Sequence, residues 1–309
     1  MWRLFYFLEL RDTFINIFRI LRFDSYIFRL VEETKLIISI QRHQNMNSGK
    51  NYVQMFGIQT PIIKEGDDIV QILEFSLEEA GVFPVEGDIF VLAESAIGTA
   101  EKRVIELASI IPGEESQLLG KKYGIDPREM ELVIKECDEI LGGVPGAVLT
   151  ITKGVLAPNA GIDASNAPEG RVVLLPEDPQ KSSGYIRKRL EQRYSCRLGV
   201  VIGDSRTQPL RLGCTGIALG VSGFLPVEDA RGTCDIYGKP LMVTHKAVAD
   251  NLVSAAELLM GEAGERIPCV LLRGSQIKMV DESPEMPNIS MEGCMYFGNI
   301  IKGRTESRV

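Results

Sequence analysis

The sequence predicts a globular chain of mixed α and β elements, in which a doubly wound sheet and a mixed α+β arrangement are both open. Three observations carry this. Of 309 residues, 45% are hydrophobic and 25% charged, an ordinary composition with ample length for a real core. Short apolar runs bounded by glycine, proline or polar residues recur through the chain, as buried strands require. Between them lie stretches whose apolar residues repeat at helical spacing. The two kinds alternate only in part, so neither sheet arrangement is singled out.

The first 54 residues stand apart. Six of the twelve phenylalanines fall before residue 30, and charges at Arg3, Glu9, Arg11, Asp12, Arg19, Arg22, Asp24 and Arg29 interrupt the apolar runs. No run approaches the roughly 18 residues of a membrane span, and no signal-peptide core with a small-residue cleavage site is present. An interfacial helix and a poorly packed extension ahead of an internal start (Met46 or Met55) are the two readings, and the second is favoured. The stretch "NMNSGKNY" reads as a linker, so the main domain is expected over residues 55–309.

From Gly57 onward the elements follow in order. The segment "DDIVQILEFSLEEAG" places Ile69, Leu73 and Ala80 on one helical face, and "GDIFVLAES" is a buried strand ending in polar residues. The segment "EKRVIELASII" reads as a helix. "DPREMELVIKECDEIL" opens on the helix-start signals Asp126, Pro127 and Glu129, with Met130, Val133, Ile134, Cys137 and Leu141 at helical spacing. "GAVLTIT", "RVVLLP", "RLGVVIGDS", "PLMVT" and "PCVLLRG" read as strands. "SSGYIRKRLEQRY" is an amphipathic helix with Ile186, Leu190 and Tyr194 inward, and "KAVADNLVSAAELLMGEAGE" is a helix ending near Gly261.

Charge and side-chain inventory exclude several functions. The net charge is -8, which disfavours nucleic acid as a partner, because phosphate binding draws on an excess of Lys and Arg. Six cysteines lie far apart without C-x-x-C spacing, which argues against a zinc ribbon and for reduced thiols in a cytosol. With two histidines, His43 and His245, any metal site must be built from oxygen ligands, favouring magnesium, manganese or calcium.

Four stretches carry candidate site residues. "APNAGIDASNAPEG" gathers Asn159, Asp163, Ser165 and Asn166 among alanine and glycine, small enough for a ligand to approach the backbone, although loops favour such residues anyway. Asp204 follows the apolar strand "LGVVIG", where open α/β sheets place ligand contacts, and Ser205, Arg206 and Arg211 come after it. Glu262 and Glu265 lie between glycines past a helix, and Lys64 sits in the turn "GIQTPIIKEGDD". Asp163, Asp204 and Glu262, with the Ser205 hydroxyl, form an oxygen set that suits a hard divalent cation. Each also has a plainer role as turn former, helix cap or helix stop. The glycine spacings match neither the P-loop nor the dinucleotide fingerprint.

"NAGIDASN", the Asp204-Ser205 turn leading to "RLG", "DIYGKPL", "AVADNLVSAAELLMGEAGERIP" and "VLLRG" together resemble the coenzyme F-420:L-glutamate ligase (gamma-glutamyl ligase) family, from about Gly57 to Gly274. The resemblance implies an α+β fold with a mixed sheet and intertwined subdomains, a homodimer, and a cytoplasmic enzyme. It implies GTP as co-substrate, two magnesium or manganese sites and help from potassium. The reaction it implies activates the carboxylate of a deazaflavin coenzyme precursor as an acyl phosphate and joins it to L-glutamate, by an amide and then a gamma-glutamyl bond. By the same resemblance Asp163 and Asp204 hold one metal, and Ser205 and Glu262 hold the second. Asp163, Asp204 and Arg211 carry the chemistry. Thr60, Pro61, Ile62, Ile63, Glu94, Ser95, Asn166 and the turn Leu258, Leu259, Met260, Gly261, Glu262, Ala263, Gly264 and Glu265 line the nucleotide pocket.

Two departures from the family pattern bear on the acceptor. Thr99 stands where the family often has lysine, with Lys102 as a nearby substitute. Asp204-Ser205-Arg206-Thr207-Gln208 lacks the usual glycine and arginine, for which Arg206 is a candidate replacement. They keep open a related ligase acting on a pterin or folate. A nucleotide- and metal-binding paralogue without catalysis is the reading outside the enzymes.

Overall fold

The computed structural model describes residues 52–282 and 284–299. The expectations for the first 51 residues therefore lie outside the described residues. The chain from Val53 onward forms one unit.

Its centre is a five-stranded mixed sheet, and this bears out the α+β expectation. The order is β1 (Gln54–Ile58), β12 (Cys269–Arg273), β2 (Ile89–Ala93), β8 (Gly199–Thr207) and β9 (Cys214–Ser222). Only β2 and β8 run parallel; the other neighbours are antiparallel. Side chains alternate across such a sheet, and both faces are covered. Phe90 and Leu92 face one cluster, with Leu73 and Leu77 of α1 (Ile69–Ala80) and Ile186 and Leu190 of α5 (Pro179–Tyr194). Ile89 and Val91 face the other, with Leu252, Val253 and Ala256 of α6 (Val248–Met260). This is why β2 and β8 read as continuous apolar runs in the sequence.

A third hydrophobic cluster lies apart from these two within the same unit. Met130 and Val133 of α4 (Pro127–Glu136) pack with Tyr123 of α3 (Glu114–Tyr123) against Val148, Ala160, Ile162 and Val172. Its antiparallel sheet is β4 (Glu139–Val144), β5 (Ala147–Thr152) and β6 (Val155–Pro158). The short pair β3 (Val104–Glu106) and β7 (Arg171–Val173) borders it, and β10 (Val227–Asp229) pairs with β11 (His245–Ala247) elsewhere. A further helix, α2 (Glu94–Ala100), follows β2 without a break.

Three elements differ from expectation. "EKRVIELASII" is not an α-helix: Val104–Glu106 pairs with Arg171–Val173, and a single 3-10 turn follows at Leu107–Ser109. Cross-strand pairing outweighs its helical spacing. The helix expected through Leu141 stops at Glu136, because the chain turns into β4 and pairs with β5. "PLMVT" lies in the β10–β11 loop, with Met242 and Val243 exposed, and the strand begins at His245. No helix among the described residues is long and apolar enough to cross a membrane.

Close packing depends on glycine where α5 meets the sheet. A Cβ at Gly220 would lie 2.3 Å from the Pro179 carbonyl carbon and oxygen. Backbone atoms cannot swing aside as side chains do, so Gly220→Ala is expected to destabilise the fold by about 1–3 kcal/mol. Urea unfolding measures this; an unchanged midpoint would mean that α5 docks more loosely than described.

Candidate active site

The parallel pairing of β2 with β8 builds the site. Its register runs to Ala93 opposite Gly203, so the next residues, Glu94 at the carboxyl end of β2 and Asp204 within β8, stand together where the parallel pairing stops, the kind of edge at which open sheets place ligand contacts. A register shift in the β8–β9 ladder falls between Ile202 and Gly203, a device that re-aims the side chains beyond it. Gly203 has no room for a side chain, since a Cβ there would lie 2.2 Å from Val253 of α6.

Four loops complete a cavity of about 620 Å³ around these strand ends, within the range of small-molecule sites. Thr60 to Ile63 follow β1, and the Thr60 N–H donates to the Arg266 carbonyl at 3.0 Å. Glu94 and Ser95 open α2. After β6 the chain turns through left-handed residues Asn159, Ala160 and Gly161 before Asp163. Asn159 is committed to the fold, accepting the Val148 N–H at 2.9 Å. Asp163 is anchored by mutual backbone hydrogen bonds with Val173. The fourth loop is the turn past Gly261, whose φ of 70° ends α6.

Most of the expected residues converge here. Thr60, Pro61, Ile62, Ile63, Glu94, Ser95, Asp163, Asn166, Asp204, Ser205, Met260, Gly261, Glu262, Ala263 and Gly264 all line the cavity. Four do not. Leu258 points to solvent, 80% exposed. Leu259 packs against the α6 cluster. Glu265 braces the turn by accepting the Ala263 N–H at 2.9 Å. Arg211 is exposed in the β8–β9 turn, between Leu210 and Leu212. The lining part of the last turn instead continues through Arg266, Ile267 and Pro268. Thr99 lines the cavity; Lys102 does not, and its Cε lies beside Gly66.

Among the lining residues that escaped the sequence reading, two carry ionisable side chains, Glu257 and Arg266. Glu257 is the lone charge in the otherwise apolar or neutral run from Asn251 to Gly261, which is the signal that could have found it. Arg266 carries a left-handed φ of 55°, which no sequence pattern announced.

The electrostatics are one-sided. Glu94, Asp163, Asp204, Glu257 and Glu262 line the cavity against Arg266 as the sole basic lining residue among those described. Burial, then the Asp204 charge and that of Asp163, push the Glu94 carboxyl well above the usual range. Burial also raises Asp204, against the pull of Arg206. Burial, then Glu262 and Asp204, push Glu257 up to about 7, and its Oε1 is buried without a partner.

The oxygen donors suit hard cations, yet each is turned onto a neighbour. Asp204 Oδ2 accepts from Arg206 Nε at 2.6 Å. Asp163 Oδ1 accepts from the Ser165 N–H at 2.7 Å and from its hydroxyl. The Ser205 hydroxyl donates to Glu262 Oε2 at 3.3 Å. Accordingly, no three Asp, Glu, His or Cys side chains among the described residues stand ready-made as a metal site. The donor chemistry fits a divalent cation provided these internal bonds exchange for it.

The family model for F420-0:Gamma-glutamyl ligase matches residues 57–274, and the chain belongs to that family. A relative from Methanocaldococcus jannaschii named Coenzyme F420:L-glutamate ligase is 40% identical over 231 residues, covering 74% of this chain and 90% of its own. Proteins of the same name from Methanopyrus kandleri and Methanothermobacter thermautotrophicus are 38% and 37% identical, covering 69% and 72% of this chain and 82% and 89% of theirs.

The raised carboxyls set a pH dependence. Between its ordinary value of 4.5 and about 7, Glu257 keeps its proton in the folded chain after the unfolded chain has released it. Stability therefore falls as pH rises through that window. Glu257→Gln is expected to flatten the decline in thermal unfolding measured from pH 4.5 to 7; an unchanged slope would mean that Glu257 titrates like a solvated carboxyl.

Proposed function

We propose that the chain is a GTP-dependent ligase that joins L-glutamate to a deazaflavin coenzyme F-420 precursor. The observation that carries this reading is the end of the β2–β8 parallel pairing, which presents Glu94 and Asp204 side by side in a cavity of about 620 Å³ in a chain belonging to this family. The reaction proceeds in two displacements. A precursor carboxylate oxygen attacks the gamma-phosphorus, the bond to the bridging oxygen breaks, and GDP leaves. The glutamate amine then attacks the acyl carbon of the acyl phosphate, inorganic phosphate leaves, and the surplus ammonium protons pass to solvent. The first glutamate is joined by an amide and the second by a gamma-glutamyl bond.

All three reactants are anions, whereas the cavity is lined by five carboxyl groups and, among the described residues, one arginine. Bound divalent cations, magnesium or manganese, supply the missing positive charge and shield the phosphates. Asp163 and Asp204 would hold one such cation, and Ser205 and Glu262 the second. The backbone of Thr60 to Ile63 and of Gly261 to Gly264, with Ser95 and Asn166, orients the nucleotide. Arg266, the sole basic lining residue among those described, would offer its guanidinium to the phosphates, in the role open since Thr99 stands where the family often has lysine. Potassium is expected to assist.

A homodimer belongs to the same reading. Leu210 and Leu212 at one hairpin tip are fully exposed, and Ile236, Tyr237, Met242 and Val243 are exposed in the β10–β11 loop. Apolar tips of this kind suit a protein partner, and a second copy would bring Arg211, held between Leu210 and Leu212, out of bulk solvent. Replacing Leu210 and Leu212 together by Asp is expected to halve the mass measured by light scattering; an unchanged mass would remove this hairpin from the interface.

Mass spectrometry tests the chemistry. The mixture contains the protein, the glutamate-free precursor, L-glutamate, GTP, potassium and manganese or magnesium. Metal-dependent gain of glutamyl units with matching GDP is expected. Asp163→Asn and Asp204→Asn should each reduce it by about 100-fold or more while remaining folded. GTP consumption without glutamylated precursor would move the acceptor to a pterin or folate. Absence of both, from folded protein, would favour a non-catalytic paralogue.

A further inference from the structure

Arg206 is the most buried charged side chain at the site, 2% exposed, and it lies on β8 two residues beyond Asp204, on the same side of the strand. Its Nε donates to Asp204 Oδ2 at 2.6 Å, and its Nη1 donates to the Leu156 carbonyl on β6, also at 2.6 Å. Its Nη2 is buried and has no partner. Guanidinium groups buried for structure alone normally satisfy their donors. This one is left incomplete, in a position where its charge also acts on Glu94.

We propose that Arg206 is a built-in counter-cation for Asp204, with which any divalent cation entering the cavity must compete. This rests on the metal-dependent reading of the site above. The guanidinium occupies one of the two Asp204 oxygens and places a fixed positive charge beside the other. A free divalent cation meets that charge without compensation, and its binding is weakened. A cation arriving with nucleotide phosphates brings negative charge of its own, so the same arginine costs the complex little. Arg206 thereby favours entry of metal together with nucleotide over metal alone. The tie to Leu156 makes it a positioning residue as well. β6 leads into the Asp163 loop, so one side chain links the strand that carries Asp204 to the strand that precedes Asp163.

Calorimetric titration of the full chain with manganese chloride, without nucleotide, tests this. Arg206→Met and Arg206→Gln are expected to bind manganese about tenfold more tightly than the wild type, because a like charge beside the site is gone. Arg206→Lys, which keeps the charge, should stay within about threefold. The metal-free neutral variants should melt about 5 °C or more below the wild type, since a buried carboxylate loses its partner. Manganese should then raise their melting temperature more than it raises that of the wild type. A purely structural arginine would lower the melting temperature and leave the manganese increment unchanged, and that result overturns the proposal. So does equal or weaker manganese binding by the neutral variants when the wild type binds. If neither the wild type nor the neutral variants bind manganese, with or without GTP, the metal reading itself falls. Should neither neutral variant fold, the Arg206 Nε–H resonance in 15N-labelled wild type decides. It is expected to shift on addition of magnesium, and an unmoved resonance under saturating magnesium overturns the proposal.

Discussion

The structure depends on one parallel strand pair in a sheet that is otherwise antiparallel. The parallel pairing of β2 with β8 stops at Ala93 and Gly203, so the two acidic residues that follow, Glu94 and Asp204, stand as neighbours. Like charges this close, at the margin of an apolar core, are costly unless protonated, paired or neutralised. Much of the surrounding chemistry answers that cost. Arg206 takes one oxygen of Asp204, and Glu94 is driven toward its neutral form. Such an arrangement costs stability, and it is the feature on which the proposed metal-dependent reading of the cavity draws.

The rest of the architecture holds that margin open. Gly203 lets α6 press on β8 directly before Asp204, bringing Glu257 and the Gly261 turn to the cavity. The antiparallel β1–β12 pair carries the Thr60 loop to the same end, where Thr60 and Arg266 are joined backbone to backbone. The Asp163 loop arrives from the third hydrophobic cluster, fixed by Ala160 and Ile162 on one side and Val173 on the other.

Sequence patterns disclosed the elements whose burial is uniform and missed those defined by their partners. Asp68 and Gly81 bound α1 as a cap and a left-handed stop, both local signals. Val104–Glu106 owes its strand to Arg171–Val173 far along the chain, so its own spacing misled. The site was legible where a residue's neighbours were unusual, as in "NAGIDASN" and the Asp204 strand end. It was less legible across the last turn. There the expected lining began at Leu258, a residue that a helix still running to Met260 turns outward, and it stopped short of Arg266. The Arg206 contact was not visible at all, because it depends on β6 lying beside β8, which no spacing records.

The third cluster gives the site a second, independently packed support. Ala160 and Ile162 root the Asp163 loop in an apolar interior distinct from the two that flank the central sheet, while Asp204 stands on the sheet itself. Polar contacts join the two supports, among them Arg206 to the Leu156 carbonyl and Arg171 to Glu65. The two aspartates therefore owe their positions to different sets of packed residues, and a cavity cut into one set would disturb its own aspartate first.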